Sequence, residues 1–359
     1  MKTALIYGVT GQDGSYLSKF LLDKGYKVIG AYRRVSVDTT ERLWNIQDNP
    51  NFKLVHSNIA DAHSVLTTVL EHRPDEIYNL AAMSQVRMSF DAPEESALVT
   101  GVGHTLVLNA VKTCNQLFGT NIRVYFAASS EMFGSHVDGD GFQRETSKME
   151  PCSPYGAAKL YAHSMNKIYR DGYGIHASSG ILFNHESPER GETFVTRKIT
   201  KYLGAVCRAV LFGDKTCEYT YIDNIPTISF GNLNACRDFG HSKDYIRGMW
   251  IMLQQDKPDD YVICTGETHS IIGFFEDCFN SMIKQFPNIA WFFQSGPDMR
   301  PDFKEFIKTY VKTDTNLYRA AEVDYLRGDC SKATNVLGWK PEISYQQLVD
   351  EMVYNDCVN

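Results

Sequence analysis

The sequence predicts an α/β protein: a doubly wound parallel sheet with a smaller, mostly C-terminal lobe. Three observations carry that expectation. Short apolar runs alternate with helix-like segments through the first half, a glycine-rich turn follows the first run, and after Phe183 the alternation gives way to polar loops and separated helices. A chain of 359 residues also exceeds the size at which single cores usually divide.

The elements follow in order. Ala4 to Tyr7 reads as a strand. Tyr16, Leu17, Phe20, Leu21 and Leu22 then form a helical apolar stripe ending near Gly25, and Val28 to Tyr32 is the second strand. Further strands are expected at Phe52 to Val55, Ile77 to Leu80, Val124 to Ala127 and Ser179 to Phe183. Helix-like segments between them imply right-handed crossovers and a parallel sheet. Later helices are expected around Phe194 to Cys207, Tyr245 to Leu253 and Ile271 to Lys284, and Tyr261 to Cys264 reads as a strand returning to the main sheet. Residues 1–185 are thus assigned to the first domain, with 231–265 returning to it. Residues 186–230 and 266–359 form the substrate-binding lobe.

Composition narrows the function. With 43% hydrophobic and 22% charged residues the chain is ordinary globular protein, and its net charge of −7 argues against nucleic-acid or membrane-surface partners. The opening apolar run is cut by Gly8 and Gly11, too early for a signal-peptide core. No apolar stretch approaches the roughly 20 residues needed to cross a bilayer. Nine cysteines, from Cys114 to Cys357, show no CxxC and fit reduced thiols. A cytoplasmic protein is expected. The ten histidines show no metal-ligand pairing, so no metal is expected.

Gly8, Gly11 and Gly14 form GxxGxxG between a strand and a helix, the context in which glycines let a backbone approach a pyrophosphate at a helix N-terminus. That points to a Rossmann dinucleotide site, with a plain tight turn as the alternative. Arg33 and Arg34 end the second strand, where an acidic residue would hold a ribose hydroxyl and arginine accepts a 2′-phosphate. NADP is therefore favoured over NAD, unless the two arginines are a solvated surface pair.

Tyr155 and Lys159 are one helical turn apart, and a cation there is expected to ease ionisation of the phenol so that it can accept a hydroxyl proton. The strand end Ala127-Ala128-Ser129-Ser130-Glu131 places a hydroxyl and a carboxylate where ligands bind in open sheets. Glu131 is suited to remove a proton beside a carbonyl, or is simply a cap.

These residues resemble the extended short-chain dehydrogenase/reductases, and among them the GDP-mannose 4,6-dehydratase branch, over nearly the whole chain. The resemblance lies in GVTGQDGSYL from Gly8, SPYGAAKLYA from Ser153, GILFNHESPERG from Gly180, FVTRKI from Phe194, GNLNACRDFGHSKDY from Gly231 and AEVDYLRGDCSKA from Ala321. It implies oxidation of GDP-D-mannose at C4 by Tyr155 with NADP, removal of the C5 proton by Glu131, loss of the C6 hydroxyl as water helped by Ser129, and reduction at C6. Implied NADP contacts are Gly8, Thr10, Gly11, Gln12, Asp13, Gly14, Arg33, Asn58, Ile59, Leu80, Ala81, Ala82, Ser84, Tyr155, Lys159, His185 and Arg190. Implied nucleotide-sugar contacts are Ser84, Asn184, Lys198, Arg237, Arg319 and Glu322.

The chain departs from the family pattern at several points. Ser129 replaces a threonine and keeps the hydroxyl. Asn58 replaces an aspartate and can still accept a hydrogen bond. Met83 and Gln85 replace a glutamine and a histidine, Glu95 replaces a tyrosine near the cofactor, and Glu189 replaces an arginine beside Arg190, where its charge is expected to weaken the field for a 2′-phosphate. Thr200 to Phe230 reads as a polar-aromatic insertion without an assigned role. The segment RRVSVDTTER, Arg33 to Arg42, resembles a family loop that reaches a neighbouring subunit, which implies a homo-oligomer, a tetramer in preference to a dimer. The competing functions are a reductase or C4 epimerase of the same fold, which has no need of a base at C5, and a non-catalytic NADP-binding protein, which has no need of Tyr155, Lys159 and Glu131 together.

Overall fold

The computed structural model describes residues 1–216, 218–295 and 300–359. Seven parallel strands form the central sheet: β1 (Thr3–Tyr7), β2 (Lys27–Tyr32), β3 (Phe52–His56), β4 (Glu76–Asn79), β5 (Arg123–Ser129), β6 (Ala177–Leu182) and β7 (Asp260–Ile263). Their spatial order is β7-β6-β5-β4-β1-β2-β3, so the order reverses between β1 and β4, where open sheets leave a crevice at their carboxyl ends. The strand expected to return from the second half does so: β7 pairs in parallel with β6, Tyr261 opposite Gly180 and Ile263 opposite Leu182.

Alternation along β1 shows why the sheet is covered on both faces. Ala4 and Ile6 join a core with Leu17, Leu21 and Tyr245, whereas Leu5 and Tyr7 join one with Val69, Val107 and Val111. The helices Gln12–Asp23 and Ser242–Gln254 therefore lie on one face, and Ala62–His72 and Gly103–Phe118 on the other.

A separate apolar core holds the second lobe together. Tyr202, Leu203 and Val206 of the helix Val195–Phe212 pack with Phe275 and Phe279 of Ile271–Gln285 and with Val349 and Met352 of Tyr345–Val358. The first part of the region read as an insertion belongs to that first helix, which runs to Phe212 because its buried stripe continues past Cys207. The region's last part is a hairpin, Thr220–Ile222 against Ile225–Phe230, whose two-residue turn puts Asp223 and Asn224 at φ of 48° and 68°. Such left-handed turns match the twist of the flanking strands, and Asp and Asn tolerate them. The hairpin's second strand pairs in parallel with Val311–Thr313.

The eight cysteines among the described residues are unbridged; Cys217 lies outside them. No described helix is long and apolar enough to cross a membrane.

Candidate active site

The carboxyl end of β1 runs into the glycine turn. Gly8 has a φ of +82°, and a Cβ on it would stand 2.8 Å from the Ala81 nitrogen. A Cβ on Gly14 would stand 2.6 Å from the Val9 Cα and would also strike the Gly8 carbonyl. Only glycine lets the first turn of the helix lie so close to the strand. Gly11 begins that helix and no side chain caps it, which leaves its first-turn amides aimed at the crevice as a cradle for a diphosphate.

The turn is braced from below. Asp13 accepts from Ser242 Oγ at 2.7 Å and meets His185 Nε2 at 2.7 Å, while His185 Nδ1 lies 2.8 Å from the Phe183 carbonyl. Both ring nitrogens thus face acceptors, the arrangement of an imidazolium. Burial pushes the Asp13 carboxyl up, but the charge and hydrogen bond of His185 override it and hold the group at about 2. Burial likewise opposes charge on His185, and Asp13 reverses the balance so that its pKa is raised. Gln12 completes the brace, donating to the His185 carbonyl at 3.0 Å and accepting from Ser187 Oγ at 2.7 Å.

Beside the turn, β5 delivers the proton-transfer groups. Ser129 Oγ accepts from the Glu131 amide at 3.2 Å, shaping the short 3₁₀ turn Ser130–Met132. The helix Pro154–Tyr173 is capped by Ser153, whose hydroxyl accepts from the Gly156 amide at 3.0 Å, and Pro154 suits its first position. Its first turn packs on the Ser129–Glu131 turn so closely that a Cβ on Gly156 would stand 2.6 Å from the Glu131 carbonyl. Tyr155 and Lys159 are buried on this face, with Lys159 Nζ donating to the Ala127 carbonyl at 2.5 Å and lying 5.6 Å from the Tyr155 ring centre.

Burial dominates the electrostatics of this pair. Burial holds Tyr155 up at about 12, only partly offset by the Ser129 hydroxyl, and the same burial brings Lys159 down to about 7 against the attraction of Asp13. Both groups are desolvated together, so each favours its neutral form.

A cleft of about 500 Å³ joins the glycine turn to these groups and to the second lobe. Arg237 Nη2 lies 3.1 Å from Glu322 Oε1, and Arg319 Nη1 lies 3.2 Å from the same oxygen and 3.5 Å from Glu131 Oε1. Arg237 is buried; burial lowers its pKa, resisted by Glu131 and Glu322. Lys198 Nζ donates to the Ser229 carbonyl at 2.8 Å and sits 4.8 Å from the Phe230 ring centre.

The cleft brings together Ser129, Glu131, Tyr155 and Lys159; Gly8, Gly11, Gln12, Asp13, Gly14, Leu80, Ala82, His185 and Arg190; and Ser84, Asn184, Lys198, Arg237, Arg319 and Glu322. Five expected cofactor residues do not line it. Arg33 is exposed at the end of β2 with its guanidinium 3.6 Å from Glu95, and Asn58 is exposed beyond β3, its side chain accepting from the Ala60 amide at 3.1 Å. Ile59 is buried in the sheet's second core, Ala81 presses on Gly8, and Thr10 offers its carbonyl to Arg42 at 3.5 Å.

Arg42, the last residue of the segment that resembles a family loop reaching a neighbouring subunit, lines the cleft of its own chain, donating through Nε to the Glu189 carbonyl at 3.0 Å. The Glu189 carboxylate lies 3.4 Å from Arg42, while Arg190 pairs with Glu186 at 3.1 Å. The two neighbours in sequence thus have separate partners. Sequence reasoning also passed over Thr193 and Asn232, which line the cleft from loops, and Leu317, which lines it from the 3₁₀ turn Thr315–Leu317; none carries a periodicity or charge signal.

A family model described as GDP-mannose 4,6 dehydratase matches residues 5–352. The GDP-mannose 4,6 dehydratase of Cricetulus griseus is 43% identical over 361 residues, covering 99% of this chain and 91% of that protein. Among solved structures, the dTDP-glucose 4,6-dehydratase DesIV of Streptomyces venezuelae, with NAD and TYD bound, superposes at a TM-score of 0.78 with 20% identity, covering 99% of this chain and 97% of that one. RMD from Pseudomonas aeruginosa, complexed with NADPH, superposes at 0.71 with 16% identity, each chain covered completely. At such identities these two establish the fold alone.

Proposed function

The chain belongs to the GDP-mannose 4,6 dehydratase family, and from that membership we infer that it converts GDP-D-mannose to GDP-4-dehydro-6-deoxy-D-mannose. One observation carries the chemistry: Tyr155, Glu131 and Ser129 share a cleft with a glycine turn shaped for a dinucleotide diphosphate. A nicotinamide dinucleotide would be held by the Gly8, Gly11 and Gly14 turn beside Lys159, and would supply a hydride acceptor for C4 and the same hydride for C6, with no net redox change. Tyr155, as the phenolate, takes the C4 hydroxyl proton and becomes the neutral phenol, and the Lys159 ammonium, anchored on the Ala127 carbonyl, offsets the phenolate's charge before that transfer. The resulting ketone acidifies C5. Glu131 removes that proton, and Ser129 assists departure of the C6 hydroxyl as water. Arg319, Arg237 and Lys198 suit the diphosphate, and Glu322 suits the guanine N–H donors.

The cofactor is NADP on our reading. Its support is Arg33 with Arg34 at the end of β2, with Arg33 released from Glu95, an exposed pair of little strength, when a phosphate arrives. The protein is cytoplasmic, in keeping with its scattered unbridged thiols, and a homo-oligomer, a tetramer in preference to a dimer. Exposed Leu98, Val102 and Tyr161 supply apolar surface for such an assembly.

Incubation with GDP-mannose and catalytic NADP⁺ should yield a product lighter by one water without net NADPH, and Tyr155→Phe should abolish turnover while retaining cofactor binding. Stoichiometric NADPH, or a product that keeps its C6 hydroxyl, would instead indicate a dehydrogenase or epimerase.

A further inference from the structure

We propose that Arg319 holds Glu131 in reserve, and that the diphosphate of the incoming nucleotide-sugar frees this base by drawing the guanidinium away. The inference rests on the dehydratase reading of the site and adds a control to it. Arg319 Nη1 is shared between Glu131 Oε1 at 3.5 Å and Glu322 Oε1 at 3.2 Å. Glu322 has a second partner in Arg237, at 3.1 Å. When Arg319 departs, Glu322 keeps a hydrogen-bonded countercharge, whereas Glu131 loses its direct ion pair and retains only the longer-range attraction of Arg237.

The two arginines differ in freedom. The Arg237 side chain is 6% exposed and also donates to the Cys236 carbonyl, whereas the Arg319 side chain is 27% exposed and follows the short turn Thr315–Leu317 on an irregular segment. Arg319 is the guanidinium able to swing. A diphosphate offers more negative charge than one carboxylate and presents oxygens that a guanidinium grips with two parallel hydrogen bonds, so it wins the competition. Glu131 lies 11% exposed, where a carboxylate without a direct partner is poorly solvated. While the guanidinium engages its oxygen, that lone pair is committed. Once released, it can take a proton from C5. Arg319 is thus a positioning residue that ties readiness of the base to occupation of the diphosphate site, so binding energy remote from the reacting carbons is used at them.

The test is a double-mutant cycle read in GDP affinity by calorimetry. In Glu131→Gln the carboxylate no longer competes for Arg319, and GDP should bind roughly threefold to tenfold more tightly. In an Arg319→Gln background the same Glu131→Gln change should alter GDP affinity by less than about twofold; Arg319→Met supplies that background should the glutamine variant fail to fold. Unchanged or weaker binding in Glu131→Gln alone overturns the proposal. So does an equal tightening with and without Arg319, which would mark plain repulsion between Glu131 and phosphate. The underlying reading is judged separately, by whether Glu131→Gln still dehydrates GDP-mannose.

Discussion

Lys159 is a buried cation whose ammonium has one hydrogen-bond partner, the Ala127 carbonyl at 2.5 Å. Burial lowers its pKa from 10.5 to about 7, and this has a consequence for folding. Between those values the unfolded chain binds a proton that the folded chain excludes, so stability on this account rises with pH. The burden is absent above about 10.5, grows as pH falls and is complete below about 7. Lys159→Met, which removes the titrating group at similar length, should lose turnover yet melt above the parent at pH 6. That advantage should shrink by about 1 kcal/mol per pH unit between 7 and 9. Paired thermal melts across this range measure it. A gap that stays constant with pH would show that Lys159 does not titrate as its surroundings require.

At the scale of elements, the site depends on how one helix docks on one turn. Gly156 sits between Tyr155 and Lys159, and its bare Cα faces the Glu131 carbonyl and Pro151. Gly156→Ala forces the helix and the Ser129–Glu131 turn apart, separating the phenol from the carboxylate that must reach the neighbouring carbon. Overpacking of this kind costs about 1–3 kcal/mol, and displacements near 1 Å can lower kcat by roughly 100-fold. The expected result is a kcat loss of that order with cofactor affinity largely retained, since the glycine turn is untouched; kcat within twofold of the parent would remove the docking argument. The strands around this site were legible in sequence to within a residue or two, because alternating or continuous apolar runs bounded by turn residues survive any tertiary context. Val28 to Tyr32 was expected, and Lys27–Tyr32 is found. The three-residue strands Asn184–Glu186 and Phe239–His241, which pair in parallel and carry His185 to Asp13, were not legible. Three residues are too few for a period, and their partners are more than fifty positions apart.

On the whole-molecule scale, local pattern reveals contiguous features and hides distant contacts. The glycine turn, Tyr155 with Lys159, and the Ser129–Glu131 strand end stand out because each is contiguous or one helical turn long. The contact between Glu131 and Arg319 spans 188 positions, and no local signal announces which distant charge will meet which. The pairing of Arg42 with Glu189 is hidden for the same reason: it depends on a loop folding back across 147 positions. Charge distribution gives a further consequence that no single element holds. The chain is acidic, at −7, yet the cleft is lined by seven arginines and lysines, together with the His185 imidazolium, against four carboxylates. Even with Lys159 half-neutral near pH 7 the cleft stays positive within a negative molecule, so the surrounding charge repels anions broadly while the low-dielectric walls of the cleft concentrate the local field. A diphosphate should therefore be drawn in by an attraction that ions screen over roughly 10 Å at 0.1 M salt. GDP affinity should fall about fivefold to tenfold between 50 and 300 mM NaCl, whereas guanosine, which lacks the diphosphate, should change by less than about twofold. Calorimetric titrations of both at the two ionic strengths measure this. Parallel salt dependence for the two would place the effect outside the phosphate site, and an affinity for GDP indifferent to salt would mean that the arginines of the cleft are already neutralised by their own carboxylates.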